Sequence, residues 1–249
     1  MAIWIYSLLA VTLISLVSLV GIFTLAIKKE RLTRLILFMV SFAVGALFGD
    51  AFIHLIPEAF EKLGNGVLVP VLILAGILLF FVMEKFILWR HCHYPTTEKH
   101  PHPVVFMNLI GDGVHNLFDG MVVAASFMVS IPVGIATTIA VLLHEIPQEI
   151  GDFGVLIHGG ISIQRALLLN FVSALLAILG AVLSLTMGPY IKDYAVFVLP
   201  LTAGGFIYMA GSDLIPFLHD EPSGRRALLQ FLFILLGIMV MFLLLLLGK

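Results

Sequence analysis

Gly111-Asp112-Gly113-Val114-His115-Asn116-Leu117-Phe118-Asp119-Gly120 stands in the middle of an apolar run, roughly 104–129. A second polar stretch, His144-Glu145-Ile146-Pro147-Gln148-Glu149-Ile150-Gly151-Asp152, stands inside the next run, roughly 131–157. Asp112, His115, Asn116 and Asp119 are spaced i, i+3, i+4, i+7, which is one face of a helix. The polar side chains of the second stretch crowd one broad stripe in the same way. An acidic residue at the centre of a lipid-exposed helix costs ~2.5–3.5 kcal/mol on insertion scales. Such faces must point at each other or into water.

Working outward, the remainder of the chain is lipid-like. Of 249 residues, 61% are hydrophobic and 11% charged, with a mean hydropathy of +1.16. Soluble domains carry roughly 25% charged residues, so this chain cannot cover its apolar surface in water. A span needs about 20 apolar residues. Eight are read, at roughly 3–27, 34–60, 67–90, 104–129, 131–157, 163–186, 194–219 and 226–247. The chain is therefore expected to be one all-α polytopic transmembrane domain in a lipid bilayer. The first span is too long for a signal-peptide core and is kept as a helix. Cys92 is the one cysteine, which excludes a disulfide framework. No basic patch is large enough for nucleic acid.

Ten of the thirteen basic residues fall on one side of an eight-span chain. Lys28, Lys29, Arg31 and Arg34 lie between spans 1 and 2; Lys85, Arg90 and Lys99 lie around the 3–4 loop; Arg165, Arg225 and Arg226 lie in later loops on the same side. Positive charge marks the cytoplasmic side, so both termini are expected outside. The loop 91–103 carries four histidines and three prolines and reads as a solvated segment or a metal-capture segment. The short loops and the small size point to a prokaryotic plasma membrane. His54-Leu55-Ile56-Pro57 is echoed by Asp213-Leu214-Ile215-Pro216 in span 7, which runs the opposite way. An inverted repeat of spans 1–3 and 6–8 around a central 4–5 pair would explain the echo.

Depth sharpens the site. Spans 4 and 5 are antiparallel, with centres near 116–117 and 144, so their His, Asn and acidic residues meet at mid-membrane. Asp112, Glu149 and Asp152 lie on the cytoplasmic side of that point. Asp50, His54 and Glu58 climb span 2 toward the outside. Imidazole with carboxylate and amide oxygen suits Zn²⁺ and accepts Fe²⁺, Mn²⁺ or Cd²⁺. Ligation needs neutral imidazole, so metal affinity is expected to fall below about pH 6.5. Pro147 leaves the Leu143 carbonyl without its helical donor, which is tolerable beside a cavity or a partner. A single intramembrane Asn or His is ordinarily a helix–helix hydrogen bond. Asn170 in span 6 reads as packing glue or as a ligand, and Asp213 as structural or as part of a conduction route. His158 and His219 read as interfacial, and the scattered phenylalanines as packing.

His115-Asn116-Leu117-Phe118-Asp119-Gly120 and His144 through Phe153 together resemble the ZIP (ZRT/IRT-like) family of metal transporters. The second stretch is similar to the subfamily signature HExPHExGD and departs from it at Gln148, where that pattern has histidine. The resemblance implies a 3+2+3 fold and movement of Zn²⁺, and often Fe²⁺, Mn²⁺ or Cd²⁺, into the cytoplasm. It implies a binuclear centre. His115, Asp119, His144 and Gln148 would form one site. Asn116, Asp119, Glu145, Gln148 and Asn170 would form the other, with Asp119 and Gln148 bridging. It also implies a bundle containing spans 4 and 5 that slides against spans 2 and 7, and a homodimer. A zinc-dependent intramembrane hydrolase is the alternative, because HExxH on a helix is a metalloprotease signature; here its fifth position is Gln148. A metal-gated sensor ranks behind both.

Overall fold

The computed structural model describes residues 1–24, 29–89, 103–191, 193–219 and 224–247. Among them the chain forms eight helical segments and no strand. α1 is Ala2–Thr24, interrupted by a 3₁₀ turn at Ser18–Val20. α2 runs as Lys29–Gly49, a π-helical segment Asp50–Leu55 and Ile56–Leu63. α3 is Leu68–Trp89, α4 Pro103–Val129 and α5 Ile131–His158. α6 runs as Ile163–Ala174 and Leu176–Met187. α7 runs as Tyr194–Tyr208, a π-helical segment Met209–Leu214 and Ile215–His219. α8 is Gly224–Leu247. The chain is an integral membrane protein with multiple spans; α1, α2, α5, α6, α7 and α8 are each long and apolar enough to cross a bilayer. α8 turns Phe231, Leu235, Phe242 and Leu246 outward, side chains that lipid accepts and water does not.

Between apolar helices in lipid, close backbone approach replaces the hydrophobic effect as the glue. Glycine permits that approach here. A β-carbon on Gly45 of α2 would strike the Ile234 carbonyl of α8, and one on Gly237 of α8 would strike the Phe42 carbonyl of α2. The α3–α7 pair has the same reciprocal seam, Gly76 against Leu201 and Gly204 against Ile73. So does α4–α6, with Gly120 against Ala177 and Gly180 against Leu117.

The echo between spans 2 and 7 is deeper than four residues. The sequence offset that carries His54 onto Asp213 also carries Gly45 onto Gly204, Pro57 onto Pro216 and one π-helical segment onto the other. In each segment the residue before the proline donates five residues back, Ile56 to the Ala51 carbonyl and Ile215 to the Ala210 carbonyl. A proline has no N–H and would orphan a carbonyl one turn earlier. Widening the preceding turn re-pairs the backbone around the gap. α5 takes a different course and continues through Pro147 without a change of helix type. Its start is set by Ser130, whose hydroxyl accepts from the Val133 N–H at 3.3 Å.

Candidate metal centre

The α4–α5 hairpin brings four donors together. His115 and Asp119 stand one turn apart on α4, and His144 and Glu145 are neighbours on α5. One ligand atom from each lies within 4.8 Å of the others. The Nε2 atom of His144 is 3.1 Å from Asp119 Oδ2, 3.3 Å from His115 Nε2 and 3.7 Å from Glu145 Oε1. His115 Nε2 is 3.5 Å from both Asp119 Oδ2 and Glu145 Oε1. The two rings meet edge to face at 89°.

The tautomer of His144 follows from its back. Its Nδ1 faces the Ala140 carbonyl at 3.2 Å, and a carbonyl only accepts, so Nδ1 carries the hydrogen. In the neutral ring Nε2 then presents a lone pair to the cluster, the arrangement of a metal-ligating histidine. Asp119 Oδ1 and both Glu145 oxygens are buried without a hydrogen-bond partner. Buried carboxylate oxygens left bare cost several kcal/mol or more unless a cation shares them. Phe206 of α7 closes one side, its ring centroid 6.2 Å from that of His144.

One turn further along both helices a second cluster gathers Asp112, Glu149 and Asp152, again within 4.8 Å. Amides and a hydroxyl hold it. Asn108 Nδ2 donates to Asp152 Oδ1 at 3.0 Å, and Asn116 Nδ2 to Asp112 Oδ1 at 2.8 Å. Asn170 Nδ2 donates to Glu149 Oε2 at 2.6 Å, and Ser173 Oγ donates to Asp112 Oδ2. The nitrogens of Asn116 and Asn170 are therefore committed to this carboxylate cluster, while their Oδ1 atoms have no partner. Asn170 is both ligand candidate and helix glue, because its bond ties α6 to α5.

A cavity of about 510 Å³ opens beside the clusters and reaches one residue of the first and two of the second. Its wall includes His115, Gln148, Asp112 and Asp152, together with Ile36 of α2 and Met83 of α3. Gln148 is half-buried on that wall. His115 retains 16% side-chain exposure and His144 none, so the site is approached past His115.

The remaining polar residues of α2 divide. Asp50 and His54 lie on the π-helical segment, buried, with Nδ1 3.3 Å from Oδ1. Glu58 is an ion-pair partner of Lys62 at 3.5 Å. His219 is exposed. The side chains of Asp213 and His158, and loop residues 90–102, lie outside what is described. Sequence reasoning missed Asn108, Ser173 and Phe206. Asn108 is one turn before Asp112 and Ser173 one turn after Asn170, so the helical period carried a signal for those two.

Residues 1–105 and 91–245 match the family model described as "ZIP Zinc transporter". The chain is 37% identical over 218 residues to "Zinc transporter ZIP13" of Pongo abelii, covering 82% of this chain and 65% of that one. It is 31% identical over 327 residues to "Zinc transporter SLC39A7" of Mus musculus, covering 96% and 69%. It is 31% identical over 299 residues to "Metal cation symporter ZIP14" of Xenopus tropicalis, covering 90% and 64%. The chain thus spans about two thirds of the length of the curated relatives it matches.

Proposed function

The chain belongs to the ZIP zinc transporter family, and from that premise we propose that it carries zinc into the cytoplasm through the cluster His115, Asp119, His144 and Glu145. The family is one of transporters, and the chain is not an enzyme of the HExxH type. The observation that carries the reading is the set of bare buried oxygens on Asp119 and Glu145 facing two imidazole nitrogens. A borderline-soft divalent cation satisfies all of them at once. Fe²⁺, Mn²⁺ and Cd²⁺ fit the same donors less selectively.

A second ion would be held by Asn116, Asp119, Glu145, Gln148 and Asn170, with Asp119 and Gln148 bridging it to the first. Asp112, Glu149 and Asp152 form the way out; Asp50, His54, Glu58 and Asp213 serve the outer half. The direction rests on charge and shape together. The cavity wall uses the ends of α2, α3, α4, α5 and α7 nearest the basic side, which positive-inside bias makes cytoplasmic. Asp50 and His54, by contrast, are sealed. On this reading the conformation is open inward, both termini face out, and α4–α5 slides against α2 and α7 in the plasma membrane. A homodimer belongs to the same proposal; single-step photobleaching of the labelled protein in vesicles would overturn it.

The test is zinc uptake into proteoliposomes carrying a zinc-reporting dye, with a competition series of Fe²⁺, Mn²⁺ and Cd²⁺. Saturable zinc flux is expected; a flux equal to that of empty vesicles, from folded protein, would refute the proposal. Gln148→His is expected to raise zinc preference over manganese in that series; an unchanged ranking would remove Gln148 from selection. Gly151 lines the cavity and has open space around it. Gly151→Phe should fill that space and slow transport at least about tenfold, which needs only ~1.4 kcal/mol of added barrier. Zinc retention by the purified variant should stay at the wild-type level, and unimpaired flux would show that the ion leaves elsewhere.

A further inference from the structure

A second cavity, of about 630 Å³, lies where α2 and α8 begin, away from the metal route. Arg34 and Phe38 of α2 line it with Arg225, Arg226 and Leu229 of α8. Three arginines therefore line one pocket, and among the described residues no acidic side chain lines it. Arg34 and Arg226 also have interactions within the protein. A guanidinium offers five donors, so a second partner can share each of them.

The frame of the pocket is fixed. Phe38 stacks on Phe233 with centroids 5.0 Å apart, just past the arginines. The Gly45–Gly237 seam locks α2 to α8 further along. Gln230 Nε2 donates to the Leu218 carbonyl at 3.2 Å and ties α8 to the end of α7. The arginines are exposed. They sit at the end of the helices that carries most of the basic residues. Directly below, Leu35 of α2 and Leu228, Phe231, Leu232 and Leu235 of α8 are exposed apolar side chains. A free phosphate would use only the upper half of this surface. A molecule with a phosphate and two hydrocarbon chains uses both.

We propose that the pocket binds an anionic phospholipid, with its phosphate among Arg34, Arg225 and Arg226 and its acyl chains along the outer face of α8. Basic pockets between spans on the cytoplasmic side are a recurrent form of lipid recognition, and arginine forks fit phosphate in two-pronged fashion. Bound there, the lipid bridges arginines of α2 and α8 and staples the pair at that end.

The experiment uses the full chain, purified in detergent and read by native mass spectrometry after titration with phosphatidylglycerol, phosphatidylcholine or inorganic phosphate. Phosphatidylglycerol is expected to be retained at least about tenfold more than phosphatidylcholine. Arg34→Gln with Arg225→Gln and Arg226→Gln should erase that preference, whereas Arg165→Gln, a basic residue on the same side, should leave it intact. If the triple variant does not purify as a monodisperse protein, Arg225→Gln alone decides and should lower the preference at least about threefold. Equal retention of both lipids by wild type, or equal loss in Arg165→Gln, would overturn the proposal. Inorganic phosphate displacing the lipid at equal concentration would also overturn it, in favour of a free-anion site.

Discussion

Alanine at both His115 and His144 is expected to abolish zinc flux in proteoliposomes and to weaken zinc binding at least about 100-fold. The magnitude follows from what remains. Changes behind metal ligands already cost 10–100-fold in affinity, and here two of the four donors themselves go. Asp119 and Glu145 stay buried, with oxygens that no protein donor reaches. An ion entering the site would have to be held by carboxylates alone, a donor set that suits magnesium or calcium better than zinc. The double variant should therefore lose zinc selectively in a competition titration. Wild-type uptake by the double variant would sink the assignment of the site.

Gly120→Val is expected to remove most of the folded protein rather than merely impair transport. A β-carbon at this position meets the Ala177 carbonyl of α6, and backbone cannot rotate aside as a side chain can. Overpacking a core typically costs 1–3 kcal/mol even where side chains yield. The α4–α6 seam must open to relieve it, and Asn170–Glu149 and Ser173–Asp112 cross between the same bundle of helices. Monodisperse yield and metal-free melting temperature are the readouts, since Gly120 adjoins Asp119 and a transport assay would confuse the two effects. Gly151→Val, in open space on α5, should melt within a few degrees of wild type. Equal melting of Gly120→Val and wild type would show that the seam is looser than its geometry.

Much of this was legible in the sequence. Apolar runs of bilayer length give the eight helices, because lipid imposes one simple rule on each. The meeting of His115 with His144 was legible too, because a helical face and a depth in the membrane are both fixed by residue number. The partners of Asn116 and Asn170 were not. Their amide nitrogens turn to whichever buried carboxylate lies within reach, and here those are Asp112 and Glu149. The π-helical segments were also hidden. Pro57 and Pro216 mark where the backbone needs relief, yet one widened turn does not disturb the hydropathy of a span that is apolar all round. Phe206 had no signal at all: one phenylalanine among twenty, distinguished only by the imidazole it covers.

The glycine seams have a mechanical consequence. Where backbone rests on backbone there is no rotamer to change, so the α2–α8 and α3–α7 pairs are stiff where their glycine seams close. The two widened turns interrupt that stiffness at matched positions, on the very helices that flank the α4–α5 hairpin. Compliance in the frame is thus concentrated in two paired joints instead of being spread along the spans. A load applied to the hairpin would be taken up by slight unwinding at Asp50–Leu55 and Met209–Leu214, leaving the seams in register.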